Sequence, residues 1–597
     1  MAKKTPVRYT DREFSSIRSA LVNYAKRYYP EQIKDFSDAS FASFMIDSVA
    51  YVGDMLSFYL DYQANEGFIN TAGEYNNLIK LGRQLGYKFK GRPSSYGLAQ
   101  FYVMVPANAA GLGPDENYIP TLLRGSEFSS ESGASFLLTE DVKFSKASNQ
   151  TVVGRVDETT GVPTYYAIRA PGTVVSGRII EESYTIGNFE KFLRVKLADP
   201  NCTEILSVFD QEGHEYFEVD YLSNNVIYKD IANYASDSNL VPSVLRPFVA
   251  ARRFVFEREN GSSYLQFGYG SEDEATSPSV AEPSTVVLNM HGKNYKTDEF
   301  FDPSKLLDTD KFGIGPSNTT ITIKYRIVDS SNINVPSQSL TNTRRTFLGF
   351  DDPTQLVAGT VTTVRNSIEV SNEEPILGSV SIPTSEELRR RIFDTFATQD
   401  RAVTTTDMEA FVYAMPPHYG AIKRCKVVKD SDSFKRNINL YVLAEGSDGA
   451  LATATTTLKE NLKMWLNSRK MVHDTIDVMN GRIINVGIEF TIIADPDHNK
   501  TEVLSECTRL LREKFKQPKY LGEPLSITEI YSTLSGKVRG LLDVKKVKYV
   551  KKTNGSYSTT SFDMNTAKSA DGRYIVAPLN AAFEIKYPTF DIKGAAE

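Results

Sequence analysis

The longest apolar pattern of the chain lies between Phe41 and Gln63, where large hydrophobic residues recur at helical spacing. At about 100° per residue they form two adjacent stripes that cover roughly 200° of a helix, about twice the face that a single core needs. The first stripe holds Phe44, Tyr51, Met55, Phe58 and Tyr62, and the second holds Phe41, Met45, Val49, Val52, Leu56, Tyr59 and Leu60. Only a narrow polar stripe remains, made of Ser43, Asp47, Asp54, Ser57 and Asp61. The pattern predicts a helix with neighbours on two sides.

Two arrangements satisfy such a helix: it is either the centre of a core within this chain, or part of a bundle with helices of other chains. Only two further helices are predicted nearby, at about residues 14–28 and 74–85, and they are too few to cover both stripes. We therefore favour the bundle. Its expected interface consists of Phe44, Tyr51, Val52, Met55, Leu56, Phe58 and Tyr62.

Capping signals delimit these helices. Thr10 and Glu13 have the spacing of a capping box before the first helix, and either Asp38 or Ser40 is expected to cap the long one. Residues 1–90 therefore read as an all-helical head, followed by a short linker at residues 91–95.

From Tyr96 the apolar period changes from helical to strand-like. Short runs of β-branched and aromatic residues separated by Gly, Pro, Asn and Ser predict a β-rich domain, a sandwich or barrel, over residues 96–270. The polar stretch from Gly270 to Pro283 reads as a surface loop. Residues 285–380 mix strands with polar loops and are expected to form a connecting domain.

From residue 383 the sequence predicts a mixture of helices and strands. Residues 383–430 hold helices opened by the capping boxes Thr384–Glu387 and Thr406–Glu409. Residues 437–552 follow the order β-α-β-β-α-β with one extra helix, which predicts a split βαβ (ferredoxin-like) domain with a hairpin turn at Asn480-Gly481. Residues 553–597 read as a carboxy-terminal tail. The predicted fold class is α+β multidomain.

Composition and charge narrow the range of functions that the chain is expected to have. A net charge of −6 with interspersed signs does not favour a nucleic-acid or membrane surface, and three scattered cysteines, Cys202, Cys425 and Cys507, suit a reducing compartment. The five histidines lack metal-ligand spacing. We therefore expect no metal, no cofactor and no catalytic residue.

Three kinds of charged motif can be interpreted either as ordinary protein surface or as part of a functional site. The adjacent carboxylates Asp351-Asp352 and Glu373-Glu374 point apart on a strand or loop, so they are read as solvated surface instead of an acid/base pair. The basic run Val544–Lys552 reads as an edge strand blunted by lysines, with a nucleic-acid strip as the alternative. The three arginines Arg389, Arg390 and Arg391 read as solvated charges around a helix.

Four stretches in one order carry a family resemblance. They are RYTDREFSSIRSALVNYAKRYYPEQIKDFSDASFASFMIDSVAYVGDMLSFYLDYQANE, DPSKLLDTDKFGIGPSNTTITIKYR, SEELRRRIFDTFATQDRAVTTTDMEAFVYAMPPHYGAIKRCKV and FEIKYPTFDIKG. With these, the chain resembles the baseplate wedge proteins of T-even-type contractile-tail bacteriophages, within the broader baseplate J-like family.

This resemblance implies a structural protein without an active site, located in the virion tail baseplate and assembled in the host bacterial cytoplasm. It implies two copies per wedge, heads bundled with a helix of a larger wedge protein, and wedges joined by carboxy-terminal domains into a ring around the tail hub. That ring would hold the sheath initiator and relay the host-contact signal to the sheath. The alternative is a tail-associated glycan-binding or glycan-cleaving protein that works through its β-rich region. The single tryptophan, on a predicted helix at Trp465, argues against a glycan binder.

Overall fold

The computed structural model of the chain describes residues 13–33, 35–37, 40–89, 91–108, 111–232, 243–259, 261–270, 312–328, 333–399, 401–430, 437–471 and 473–597. Thr10, Asp38, the predicted loop after Gly270 and the first part of the DPSKLL stretch lie outside these residues. The chain divides into two compact units. One comprises the residues up to Phe89 together with Pro383–Ala397, and the other comprises Lys90–Ile382 together with Thr398–Glu597.

Helices dominate the first unit and recur in the last third of the chain. Their bounds are α1 (Phe14–Tyr28), α2 (Phe41–Glu66), α3 (Tyr75–Gln84), α4 (Ala358–Asn366), α5 (Ser385–Thr398), α6 (Thr405–Tyr413), α7 (Thr456–Asn467), α8 (Lys500–Lys514), α9 (Ile527–Lys537) and α10 (Pro588–Asp591). Ser40 caps α2, because its hydroxyl accepts a hydrogen bond from the amide of Ala42. Thr404 and Asp407 form the capping box at α6, so the box predicted at Thr406 and Glu409 is wrong by two residues.

Helix α5 completes the core of the first unit, although it follows α3 only after the whole β-rich region. Leu388 and Ile392 of α5 are buried with Ala72 and Leu78 of the head. The two helices approach closely at Gly82, where an added Cβ would lie 2.7 Å from Cδ1 of Ile392. The helical head is therefore built from two separate parts of the chain.

Strands make up most of the second unit. Their bounds are β1 (Tyr96–Pro106), β2 (Thr121–Leu122), β3 (Glu127–Ser130), β4 (Ser135–Leu138), β5 (Val142–Lys143), β6 (Gln150–Val156), β7 (Pro163–Ser176), β8 (Arg178–Thr185), β9 (Arg194–Lys196), β10 (Cys202–Phe209), β11 (Glu215–Glu218), β12 (Val226–Ala232), β13 (Ser243–Val249), β14 (Arg253–Glu259), β15 (Ser262–Phe267), β16 (Thr320–Ile327), β17 (Leu340–Arg345), β18 (Leu348–Gly349), β19 (Glu369–Ser371), β20 (Arg424–Lys429), β21 (Asn437–Glu445), β22 (Leu451–Thr453), β23 (Thr475–Asn480), β24 (Arg482–Ala494), β25 (Leu525–Ser526), β26 (Leu541–Lys551), β27 (Tyr574–Ile575), β28 (Ala581–Glu584) and β29 (Ile592–Ala596).

Two large sheets form the β-rich region. The first has the order β17-β3-β4-β7-β1-β19, with β6 paired to β7, and its core includes Phe101, Phe128 and Phe136. The second has the order β8-β16-β10-β11-β14-β15-β9, and its core includes Phe254 and Tyr325. Strands β16, β17 and β19 come from the predicted connecting region, so both predicted segments contribute to the same sheets.

The described strands from Arg424 onward lie in two four-stranded sheets and the small two-stranded sheet β25-β27, instead of one split βαβ sheet. Strands β20, β21 and β22 are adjacent, and β23 pairs with β21 in parallel; β24 instead pairs with β26, β28 and β29. The predicted hairpin at Asn480-Gly481 is therefore wrong. An added Cβ at Gly481 would lie 2.8 Å from Leu521 and 3.0 Å from Leu443, so this glycine allows close packing where the chain passes between sheets.

The predicted carboxy-terminal tail is part of the second of these sheets. Strands β28 and β29 both pair in parallel with β24. Phe583 is 1% exposed and belongs to the same core as Ile488 of β24 and Leu511 of α8. The long strand β24 has apolar residues that need neighbours along its whole length, and the tail supplies them.

Candidate interaction surface on the helical head

Helix α2 contacts α1 through its narrow polar stripe, not through its apolar ones. Ser43 and Ala50 are its buried residues on this side, and Asp47 accepts a hydrogen bond from Nε of Arg18. Nη2 of Arg18 also donates to the hydroxyl of Ser43 at 3.1 Å. Small and polar residues at these positions let the two helices approach closely, as they do where backbones pack with little side-chain bulk between them.

The apolar stripes of α2 therefore face away from α1. Twelve large hydrophobic side chains of this helix are between 39% and 78% exposed, and we call them the apolar face of α2. They are Phe41, Phe44, Met45, Val49, Tyr51, Val52, Met55, Leu56, Phe58, Tyr59, Leu60 and Tyr62. All seven residues of the predicted interface are among them. A surface helix with its apolar side in water and its polar side inside the fold is the reverse of the usual pattern.

Two tyrosines of α1 add exposed aromatic surface to the head. Tyr24 and Tyr28 are 54% and 50% exposed, and their rings lie 4.8 Å apart. Along α2, the rings of Phe58 and Tyr62 are stacked at 6.4 Å. Exposed aromatic clusters of this kind are enriched at contact surfaces between proteins. The tyrosines of α1 were missed because their helical spacing alone does not say which face is covered.

The base of α2 is fixed by a buried carboxylate. Glu66, the last residue of α2, accepts hydrogen bonds from the amide of Gly73 at 2.7 Å and from the side-chain amide of Asn77 at 2.9 Å. The hydrogen bond from Asn77, with those from the backbone, holds the pKa of Glu66 below its usual value of 4.5. These hydrogen bonds join the end of α2 to the start of α3.

The three arginines of α5 are not uniformly solvated, so that prediction is wrong. Arg389 donates to the backbone carbonyl oxygens of Ile69 and Ala72, and Arg391 forms a 3.0 Å ion pair with Glu387. Only Arg390 has a side chain that is mostly exposed, at 60%. The loop between α2 and α3 exposes carbonyl groups that a guanidinium satisfies, and a sequence pattern cannot show this.

The other candidate motifs have structural partners. Asp352 accepts a hydrogen bond from the amide of Thr354 at the start of a short 3₁₀ helix, and Glu373 forms an ion pair with Arg169. The indole of Trp465 donates to the carbonyl of Phe411 at 2.9 Å inside the fold. Among the described residues, no group of three His, Cys, Asp or Glu side chains is arranged to hold a metal ion. No helix in the described part of the chain has the length and apolar character needed to span a membrane.

Comparison with known proteins concerns mainly this head. Residues 13–84 match the family model described as bacteriophage baseplate protein, N-terminal domain. No curated protein matches the chain significantly. The helical head is therefore similar to the amino-terminal domain of bacteriophage baseplate proteins.

Two solved structures align over most of the chain with low scores. A chain of the 6-fold symmetrised baseplate of the anti-feeding prophage (AFP) has 10% identity and a TM-score of 0.23, covering 100% of this chain and 94% of that one. A chain of the TssK-TssF-TssG baseplate subcomplex of a type VI secretion system has 8% identity and a TM-score of 0.22, covering 74% and 96%. Scores of this size establish neither a shared fold nor a shared function.

Proposed function

We propose that this chain is a structural component of a contractile phage tail baseplate, a wedge protein of the baseplate J-like family. In this proposal two copies enter each wedge, and the apolar face of α2 packs in a helix bundle with other wedge chains. The wedges then join into a ring around the tail hub, which holds the sheath initiator and relays the host-contact signal to the sheath. The chain acts in the virion and is assembled in the host bacterial cytoplasm.

The observation that supports this proposal most directly is the apolar face of α2, because it lies in the domain that matches a baseplate family. Nothing in the described part of the chain covers this face, although α1 occupies the polar side of the same helix. A helix of another chain is the partner that fits its shape, since apolar side chains at helical spacing pack into the grooves of a second helix.

A stable bundle requires that most of the apolar face of α2 is buried. Burying a large apolar side chain contributes about 1.5–3 kcal/mol, and these side chains are already about half buried, so twelve of them supply on the order of 10 kcal/mol. Association itself costs an estimated 4–15 kcal/mol. The two quantities are similar, so one charge placed within the face is enough to prevent bundling.

The test is the substitution Phe58→Asp, with Asn65→Asp as its matched control. Both place a carboxylate on an exposed position of α2, but Phe58 lies on the apolar face, whereas Asn65 lies at the same helical angle as Asp47 of the polar stripe. We expect Phe58→Asp to lose co-purification with the other wedge proteins, because a lone carboxylate in an apolar bundle costs several kcal/mol. Asn65→Asp should co-purify as the unaltered protein does. Equal recovery of both variants would refute the bundle.

A further inference from the structure

The sheet formed by β24, β26 and β29 has one covered face and one open face. Its covered face carries Ile488, Phe490 and Tyr549, which are buried against α8 and α9. The register places the intervening residues on the opposite side, where Lys548 of β26 is opposite Glu489 of β24. Glu489 is in turn opposite Lys593 of β29. All three are exposed.

These three residues form a row of charges across three strands, in the order positive, negative, positive. A second row lies two residues along the strands, where Lys546 is opposite Thr491 and Thr491 is opposite Ala595. Side chains opposite each other in a sheet have Cβ atoms only about 4.5–5.5 Å apart. We call Lys546, Lys548, Glu489 and Lys593 the charged face of this sheet.

The three lysines of the charged face have no described carboxylate within the 4.0 Å of an ion pair. Neighbouring lysines of the same sheet do have one: Lys545 pairs with Glu597, and Lys552 lies 3.8 Å from a carboxylate oxygen of Asp591. The charged face holds three lysines and one glutamate, a net charge of +2, and exposed Asp543, opposite Ile493 further along the same open side, lowers this excess to +1 in a chain whose net charge is −6. The lysines are therefore available to carboxylates of another molecule.

A second copy of the same face is a poor partner for it. A two-fold contact places a surface patch against itself, so lysines of one copy would meet lysines of the other with one glutamate each to offset them. Like charges brought together across an interface cost several kcal/mol. The charged face therefore favours a different surface.

A protein surface fits better than a phosphate backbone. Phosphates present an unbroken line of negative charge, and Glu489 in the centre of the row would repel it. The aromatic residue of β26, Tyr549, is buried on the other face and offers no stacking platform for bases. A protein can instead place two carboxylates opposite Lys548 and Lys593 and a cation opposite Glu489.

We propose that the charged face docks an acidic surface of another protein of the assembly, with carboxylates that meet Lys548 and Lys593. This inference rests on the proposed function for the existence of the assembly, but on different residues of the chain. Its contact is polar and open to solvent, so it sets the choice and orientation of the partner more than the affinity.

The experiment uses the full chain, supplied from a plasmid to cells infected by a phage whose own copy of the gene is inactive. The variant Lys548→Glu/Lys593→Glu is compared with Lys463→Glu/Lys516→Glu, which makes the same change in charge at two exposed lysines away from the charged face. We expect the first variant to lower the yield of complete baseplates by about tenfold or more. The control should assemble at the unaltered level.

Second-site suppressors of the first variant then identify the partner. We expect changes of Asp or Glu to Lys or Arg in another baseplate gene, because these restore opposite charges across the contact. Equal yields for the two double variants would overturn the inference. The inference would also be overturned if every suppressor other than a true revertant left the acidic residues of the other baseplate proteins unchanged.

A 30-base-pair DNA duplex in a mobility-shift assay tests the nucleic-acid alternative directly. The docking of a protein would be overturned if the unaltered protein binds the duplex, the Lys548→Glu/Lys593→Glu variant does not, and that variant still forms normal baseplates. This result would assign the face to nucleic acid.

Phe58→Asp in the same infected cells separates the two proposals. Normal assembly of Phe58→Asp would refute the head bundle alone, and normal assembly of the lysine variant would refute the docking face alone.

Discussion

Nε of Arg389 donates a 2.7 Å hydrogen bond to the backbone carbonyl of Ile69, which lies 320 positions earlier in the chain. Nη2 of the same side chain donates to the carbonyl of Ala72 at 2.8 Å. One guanidinium of α5 thus binds two carbonyl groups within the loop between α2 and α3. The helix that presents the apolar face depends on a residue beyond the entire β-rich region.

Arg389→Ala should loosen the head selectively. It leaves two carbonyl groups without their charged donor, and each such hydrogen bond is worth about 1.5–3 kcal/mol. We expect faster hydrogen exchange in residues 66–82 and little change in the sheets. Arg390→Ala, at an exposed position of the same helix, is the control and should behave as the unaltered protein. Equal exchange in both variants would contradict the role of Arg389.

A fragment that ends at residue 90 should fail to form a stable head. It lacks Leu388 and Ile392, which fill the core beside Leu78. Losing one such buried side chain costs about 2–5 kcal/mol. Circular dichroism should show less helix in this fragment than in one that joins it to residues 383–398 through a flexible linker. Full helix in the short fragment would show that α5 is dispensable.

Glu584 should give the carboxy-terminal sheets a dependence on pH. Its carboxylate accepts hydrogen bonds from the amide of Leu451 and from Asn485 at 3.0 Å, while burial raises its pKa from 4.5 to about 7. Asp448 raises this pKa further and Lys586 lowers it. The folded state therefore holds its proton more tightly than the unfolded state does.

The stability linked to Glu584 should be fully present below about pH 4.5 and lost as the pH rises through 7. A shift of this size corresponds to about 3 kcal/mol. In Glu584→Gln this part of the pH dependence should vanish, because an amide does not titrate. Any change in stability that the amide itself causes should be the same at every pH. The measurement is the thermal midpoint of both proteins from pH 5 to pH 9. Parallel curves would contradict the assignment.

A chain that ends at Asn480 should form single wedges that do not join, if the proposed function holds. This end keeps β20–β23 as one sheet, whereas an end at Asp430 would separate β20 from β21. The part removed has a core of its own, which includes Ile488 and Phe583. Negative-stain images should show separate wedges, and closed rings would contradict the prediction.

We expect no hydrolysis of peptidoglycan or capsular glycan by the purified protein. Asp352 and Glu373 already serve as a helix cap and as a partner of Arg169. Release of reducing sugar that disappears in Asp351→Asn/Asp352→Asn would overturn this expectation and favour the enzymatic alternative.

Local pattern was sufficient for the three helices of residues 1–90 and for the start of the β-rich region, but residues 359–366, whose β-branched residues indicate a strand, form helix α4. The periods of the apolar residues predicted α1, α2 and α3, and Ser40 was correctly placed among the candidate caps of α2. The switch of period at Tyr96 coincides with the first residue of β1. These features depend on residues close in sequence, so the sequence alone determines them.

Pairing over long distances was decided only in the tertiary structure. The sequence does not say that β28 and β29 join β24, that α5 completes the head, or that Gly481 is needed for packing instead of a turn. The same limit applies to α2. Its two apolar stripes can be read from the sequence, but their spacing does not show which side of α2 packs against α1. The Arg18–Asp47 contact and the small residues at Ser43 and Ala50 place α1 on the polar side, and that choice leaves the apolar face open.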